Sequence, residues 1–184
     1  MEVCQIRENL YRCRACCEWI KLGKKAELTN DMTACKYYEM EDETVNIAVS
    51  KPVTMSSSSR APSNAVDNII DCRSFNLLAH TYHDFQPWLK IDLQAMHDVI
   101  KVTIVNRFDC CGNRLHDVQV NVINNESQAS CGFYKGPAQV RDVIAVYCAS
   151  GAVGRYVVMK VLSQPGEADY INVCEVQVFV NSQQ

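Results

Sequence analysis

Pro87-Trp88-Leu89-Lys90-Ile91-Asp92-Leu93 alternates apolar and polar residues one by one. That is the period of a strand with one face in a core and the other in water. Val99-Ile100-Lys101-Val102-Thr103-Ile104-Val105 follows at once and is rich in β-branched residues, which favour a pleated surface. Val118 to Val122, Tyr156 to Val161 and Val173 to Val180 repeat the pattern downstream. Polar loops separate these short strands and no amphipathic helix lies between them. The reading from Asn46 onward is therefore all-β, an antiparallel β-sandwich or jelly roll. Ser56 to Ser59 reads as a loop, and no internal repeat is visible.

Composition narrows the class. The chain has 184 residues, 48% of them hydrophobic, with a net charge of −3. A nucleic-acid surface would need a basic excess, so none is expected. No run of apolar residues is long enough to span a bilayer. The opening Met-Glu-Val-Cys-Gln-Ile-Arg carries no secretory signal, so the chain is expected to be a mature or partial one. Eleven cysteines are too many for a reducing cytosol and place the protein outside the cell, with disulfide bonds. Zinc is the competing use, but Cys13-Arg14-Ala15-Cys16 has no matching second pair. An odd total leaves at least one thiol free or bonded to another chain.

The cysteines fall into two groups. Cys4, Cys13, Cys16, Cys17 and Cys35 precede Glu39-Met40-Glu41-Asp42-Glu43, an acidic stretch that reads as an exposed linker; the other six follow it. Residues 1–45 are thus expected to be a small Cys-rich extension of unassigned role, and residues 46–182 the main domain. Arg7 to Leu22 lacks Gly and Pro and is compatible with a helix.

One loop concentrates the chemistry. Arg107-Phe108-Asp109-Cys110-Cys111-Gly112-Asn113-Arg114 holds two guanidinium groups, a carboxylate and two adjacent cysteines, and His80 lies upstream. The adjacent cysteines have two readings: each bonds a distant partner, or they bond each other in a tight ring. An Arg and an Asp two apart are commonly a surface ion pair of little consequence. His83, His97 and His116 are read as surface or satisfied residues.

His80, Arg107, Asp109 and Arg114, at that spacing and with Cys110-Cys111 between the last two, resemble the signature of the F-type lectins. Asn46-Ile47-Ala48-Val49-Ser50-Lys51-Pro52, Ser63-Asn64-Ala65-Val66-Asp67, Pro87-Trp88, Gly154-Arg155-Tyr156-Val157 and Cys174-Glu175-Val176 extend the likeness over roughly residues 46–180. The resemblance implies a jelly roll that binds terminal L-fucose. His80, Arg107 and Arg114 would contact the axial hydroxyl, its neighbour and the ring oxygen. Asp109 would orient the arginines, and Cys110-Cys111 would bond each other and pack on the sugar. Cys72-Cys174 and Cys131-Cys148 would be the remaining bonds of the domain.

The resemblance also implies a structural Ca2+ at Asn64, Asp67, Ile69, Cys174 and Glu175, with Ile69 serving through its carbonyl. One departure bears on it: where the family usually has Ser-Cys-Thr-His, this chain has Leu77-Leu78-Ala79-His80. The chemistry suits a neutral deoxy-sugar, since guanidinium donors match hydroxyl and ring oxygens and a disulfide face suits a methyl group. The expected function is a secreted fucose-binding lectin, not an enzyme, with fucosylated glycans as partners in innate immunity or cell adhesion. Weak single sites call for avidity from oligomers or a longer parent chain. The alternative is a discoidin-like adhesion module binding protein or lipid. A glycosidase would need two carboxylates at the bond to be cut, and Asp109 is alone in the cluster. Asn125-Glu126-Ser127 is a glycosylation sequon.

Overall fold

The computed structural model describes residues 3–7, 10–13, 18–21, 36–39, 44–124, 128–149 and 151–182. The sequon, residues 40–43 of the acidic stretch and the thiols of the N-terminal cysteines lie outside the described part. Two compact units are present, Met1–Glu43 and Thr44–Gln184.

In the first unit, β1 (Val3–Arg7) and β2 (Leu10–Cys13) pair antiparallel, and β3 (Glu18–Lys21) and β4 (Lys36–Glu39) pair parallel. The expected helix over Arg7 to Leu22 is corrected: that stretch contributes the end of β1 together with β2 and β3. Tyr11, Trp19 and Ile20 favour strands over helices, so the absence of Gly and Pro was permissive and not directive.

The second unit is all-β. It begins with β5 (Thr44–Asn46), two residues ahead of the expected Asn46, because Thr44 and Val45 already pair with Asn181 and Val180. Then come β6 (Val53–Met55), β7 (Ala79–His80), β8 (Trp88–Asp98), β9 (Lys101–Asn106), β10 (Val118–Ile123), β11 (Gln128–Tyr134), β12 (Val143–Tyr147), β13 (Val153–Val161) and β14 (Asn172–Asn181). One sheet runs β11-β10-β13-β8-β6 and the other β12-β9-β14-β5, with β7 paired to β14. All pairings in these two sheets are antiparallel. Three short 3-10 turns interrupt the loops at Pro62–Val66, Phe75–Leu77 and Gly112–Arg114.

The alternation of Pro87 to Leu93 is realised in β8. Leu89, Ile91 and Leu93 are buried, while Trp88, Lys90 and Asp92 are half-exposed. The buried set meets Val102, Ile104, Val176 and Val178 of the facing sheet and Val120, Val122, Val157 and Met159 of its own, giving the core of a sandwich. At about 25 cal/mol per Å² of apolar area, each such side chain contributes about 2 kcal/mol when removed from water.

β9 departs from alternation: Val102 through Asn106 are all buried. Its outer face is covered. Val105 packs there with Cys72, Leu78 and Cys174, and Phe75, Leu77 and Phe108 close over them. The cover is the segment around residues 72–78, tied to β14 by the Cys72–Cys174 disulfide. That segment leads straight into His80, so the tie also sets one wall of the site. Cys131–Cys148 joins β11 to the residue after β12, across the two sheets.

Candidate functional site

β7 places His80. Ala79 points into the main core, so the period of two turns His80 the other way. Backbone pairing with Asn172 fixes one edge of His80, and Ser59 N and Arg60 N donate to its carbonyl at 2.7 and 3.0 Å. The side chain is only 5% exposed. Its Nδ1 meets the Thr81 carbonyl. A carbonyl only accepts, so Nδ1 carries the hydrogen and the neutral ring keeps an acceptor lone pair on Nε2. Burial holds the imidazole below the ordinary histidine range, against the pull of the Thr81 carbonyl; the charges of Arg107, Arg114 and Arg60 reinforce it.

β9 delivers Arg107 at its C-terminal end. The residue is 2% exposed. Nε and Nη2 donate to the two oxygens of Asp109, each at 2.7 Å, a bidentate pair of the strong charge-assisted kind. Those bonds, with backbone donors and the arginine charge behind them, hold the Asp109 carboxyl down at about 2. Nη1 of Arg107 is buried and has no hydrogen-bond partner among the described residues. An orphaned charged donor is costly, and a ligand oxygen would remove that cost.

The loop after Arg107 is shaped by main-chain contacts. Asn106 Nδ2 donates to the carbonyls of Gly112 and Gln139 at 2.9 and 2.7 Å, and its Oδ1 accepts from Arg107 N. Cys110 and Cys111 are bonded to each other, and Cys111 is left-handed at φ 53°. A Cβ on Gly112 would stand 2.3 Å from Val140 N, so only glycine fits there. The 3-10 turn Gly112–Arg114 ends on buried Leu115 and presents Arg114. Asp109 was expected to orient both arginines, but it holds Arg107. Arg114 has its guanidinium 4.2 Å over the Tyr170 ring instead.

Aromatic side chains that the sequence reading did not single out complete the site. His80 meets the edge of Phe75 at 5.0 Å and of Tyr170 at 5.6 Å. Arg60 lies 4.2 Å and Arg107 5.9 Å from the Phe75 ring centre. His83, read as an ordinary surface residue, is exposed and also stacks on Tyr170, 4.7 Å away with an 18° interplanar angle. Phe75 offered one sequence signal, a lone aromatic in the polar run Asp71-Cys72-Arg73-Ser74-Phe75-Asn76. Tyr170 offered none, being ninety positions from His80 in the chain.

A second cluster holds the candidate cation ligands. Glu175 is fully buried. Its Oε1 accepts from Asn68 N at 3.2 Å, while Oε2 is buried without a hydrogen-bond partner among the described residues. Burial pushes its carboxyl up to about 8, and the nearby Asp67 charge adds to the rise. Asp67 Oδ1 accepts from Ile69 N at 2.9 Å. Asn64 Nδ2 donates to the carbonyls of Asn76 and Leu78, which turns its nitrogen toward the protein. The Cys174 sulfur is committed to Cys72 and lies 3.6 Å from the Ile69 carbonyl, so Cys174 has only its main-chain oxygen to offer. A buried, orphaned Glu175 oxygen beside the Asp67 carboxylate is the kind of oxygen donor that suits a hard cation such as Ca2+. Among the described residues no group of three or more His, Cys, Asp or Glu side chains is placed to hold a metal ion, so a cation here would draw on main-chain and amide oxygens as well as Asp67 and Glu175.

Residues 64–159 match the family of the NedA-like, galactose-binding domain. A fucolectin of Anguilla anguilla is 28% identical over 149 residues, 74% of this chain and 91% of that protein. A Streptococcus pneumoniae fucose binding module superposes with a TM-score of 0.66 at 27% identity, over 77% of this chain and 99% of that one. An F-lectin from striped bass (Morone saxatilis) serum gives 0.66 at 26% identity, over 74% of this chain and 49% of that one. The chain thus spans about half the length of the bass lectin, and 62%, 61% and 66% of fucolectins 5, 6 and 1 of Anguilla japonica.

Proposed function

Because the chain belongs to the family of the NedA-like, galactose-binding domain and resembles the F-type lectins, we propose that its second unit is a lectin for terminal L-fucose. The observation that carries the reading is the buried, unpartnered Nη1 of Arg107 beside an imidazole whose free nitrogen accepts. Together they offer a donor and an acceptor to one sugar edge. Arg114 supplies a second guanidinium, and the Cys110–Cys111 ring an apolar surface for the deoxy-sugar methyl. Asp109 acts as a positioning residue for Arg107. The fucose-binding module and the eel and bass lectins support the same ligand.

Binding at one such site is weak, since each good polar contact contributes on the order of 1 kcal/mol. Avidity then comes from several linked sites. Three disulfides among the described residues and the serum origin of the bass lectin support an extracellular setting, where glycan recognition serves defence or adhesion.

A calcium ion would be held by Asn64, Asp67, Ile69, Cys174 and Glu175. When bound it supplies positive charge to two neighbouring carboxylates. The residues themselves fasten the 64–69 segment to β14, and β14 carries Asn172, the partner of His80.

The test is a glycan array run with calcium and with a chelator, alongside His80→Ala and Arg107→Ala. Selective retention of α-L-fucosylated glycans is expected, lost in both variants while the circular dichroism of the fold is kept. Retention of fucosylated glycans by either variant, or an array without fucose selectivity, overturns the reading.

A further inference from the structure

The site carries more positive charge than a neutral sugar requires. Three guanidinium groups, those of Arg107, Arg114 and Arg60, act on the His80 imidazole. One carboxylate answers them, and both Asp109 oxygens are taken by Arg107. Arg60 and Arg114 form no ion pair among the described residues, where the arginine pairs are Arg73–Asp71, Arg107–Asp109 and Arg155–Asp92. Arg60, Arg107 and Arg114 thus stand against Asp109. Of the acids on neighbouring segments, Asp169 is turned to His116 at 3.3 Å and Asp84 accepts from the Ser56 and Ser57 hydroxyls. This excess sits on a chain whose net charge is −3, so it is local and not a general basicity.

Arg60 is the member that the fucose site does not use. Its main-chain N–H is bound to the His80 carbonyl, its guanidinium covers the Phe75 ring, and Nη1 donates to the Ser59 carbonyl. Its Nε is buried and without a partner among the described residues. Like charges gathered in a partly dry pocket repel one another. A neutral ligand leaves that repulsion in place, whereas an anion relieves it and is drawn in by the focused field. Guanidinium groups also match the oxygens of a tetrahedral oxyanion.

We propose that the preferred ligand is a sulfated fucose-containing saccharide, with the sulfate ester on Arg60 and the fucose ring on His80, Arg107 and Arg114. The proposal rests on the fucose reading above and names the ligand class of that same pocket.

The experiment is calorimetric titration of the whole chain with a sulfated α-L-fucan tetrasaccharide, and with the same tetrasaccharide after desulfation. A heparin tetrasaccharide and sodium sulfate are the sulfated probes without fucose. The sulfated fucan is expected to bind about tenfold tighter than its desulfated form at about 20 mM salt. The gap should shrink several-fold at about 300 mM, as screening dictates. Arg60→Gln should bring the ratio of the two affinities close to one, and Arg155→Gln, at a separate ion pair, should leave it unchanged. Equal or weaker binding of the sulfated form overturns the proposal while the fucose reading stands. Heparin binding as tightly as the sulfated fucan overturns it in favour of an unspecific cationic patch. A ratio untouched by Arg60→Gln does so too. Failure of both fucans together with fucosylated glycans defeats the fucose reading and this proposal with it.

Discussion

The imidazole of His80 meets the edge of the Tyr170 ring at 5.6 Å and 70°, and the same ring carries the Arg114 guanidinium at 4.2 Å. Two polar groups of the candidate site are thus set by one aromatic side chain that touches no motif in the sequence. Phe75 plays the matching part on another side, edge-on to His80 with Arg60 and Arg107 near its ring.

Tyr170→Ala is expected to lower affinity for methyl α-L-fucoside about tenfold. It removes a cation–π contact of about 0.5–2 kcal/mol and frees the Arg114 rotamers. Tyr170→Phe keeps the ring and should bind within about twofold of the parent, since a cation–π contact needs only the ring face. Calorimetry of both variants decides it; equal losses in the two would assign the effect to the hydroxyl and not the ring.

Asp109→Asn should destabilise the fold and weaken binding together. The substitution leaves a 2% exposed guanidinium without its counter-charge. Because Asp109 is itself partly exposed, the cost is expected at about 1–3 kcal/mol, below that of a fully buried pair. The pH dependence has a definite sign. The native carboxyl sits at about 2 against an ordinary value of 3.8. Its contribution is therefore complete above 3.8 and fades as pH falls toward 2. Urea unfolding of parent and variant should differ at pH 6 by the full amount and converge in acid.

Fucose affinity should be flat from pH 8 down through the ordinary histidine value and fall only on its acid side. The neutral His80 ring accepts through Nε2, and protonation turns that acceptor into a donor. The native imidazole is held below the ordinary value of 6.5, so the loss begins on the acid side of that value. Stability follows the same direction: the unfolded chain takes the proton first, so acid below 6.5 favours unfolding through this group. Titrations of binding across pH 5–8 test it, and affinity rising toward acid would contradict the assigned tautomer.

Calcium should raise the melting temperature, and Glu175→Gln should abolish the rise. Without a cation the buried carboxyl favours its proton, with a native value of about 8 against 4.5 unfolded. It therefore subtracts stability progressively as pH rises across that window. An ion at a hundred times its dissociation constant adds about 2.7 kcal/mol. Scanning calorimetry at pH 8 with calcium and with chelator measures it. A calcium shift that persists in Glu175→Gln would place the ion elsewhere.

The readable part of this protein was whatever repeats over a few residues. Leu89, Ile91 and Leu93 announced β8, and the alternations at Val118 and Val173 announced β10 and β14. The Cys110-Cys111 pair and its flanking arginines were adjacent in the chain and so visible as a loop. Strands without a clean period were not visible: β6 has three residues, the edge strand β11 mixes polar and apolar side chains, and the edge strand β12 is a short apolar run, Val143 to Tyr147, with no alternation to mark its two faces. The β-branched run of β9, with Thr103 among its valines and isoleucine, did not reveal that a loop, not solvent, covers its outer face.

Local periodicity and motif spacing were enough to establish an all-β domain and to nominate His80, Arg107, Asp109 and Arg114, because backbone period and chain neighbours are encoded within a short window. The tertiary structure alone decided that Phe75 and Tyr170 frame the imidazole, that Arg60 joins the other arginines, and that Glu175 is left with an orphaned oxygen. Those relationships depend on the Cys72–Cys174 tie and on the pairing of β7 with β14. They bring together residues far apart in the chain, and a contact across that distance exists only once the core has closed.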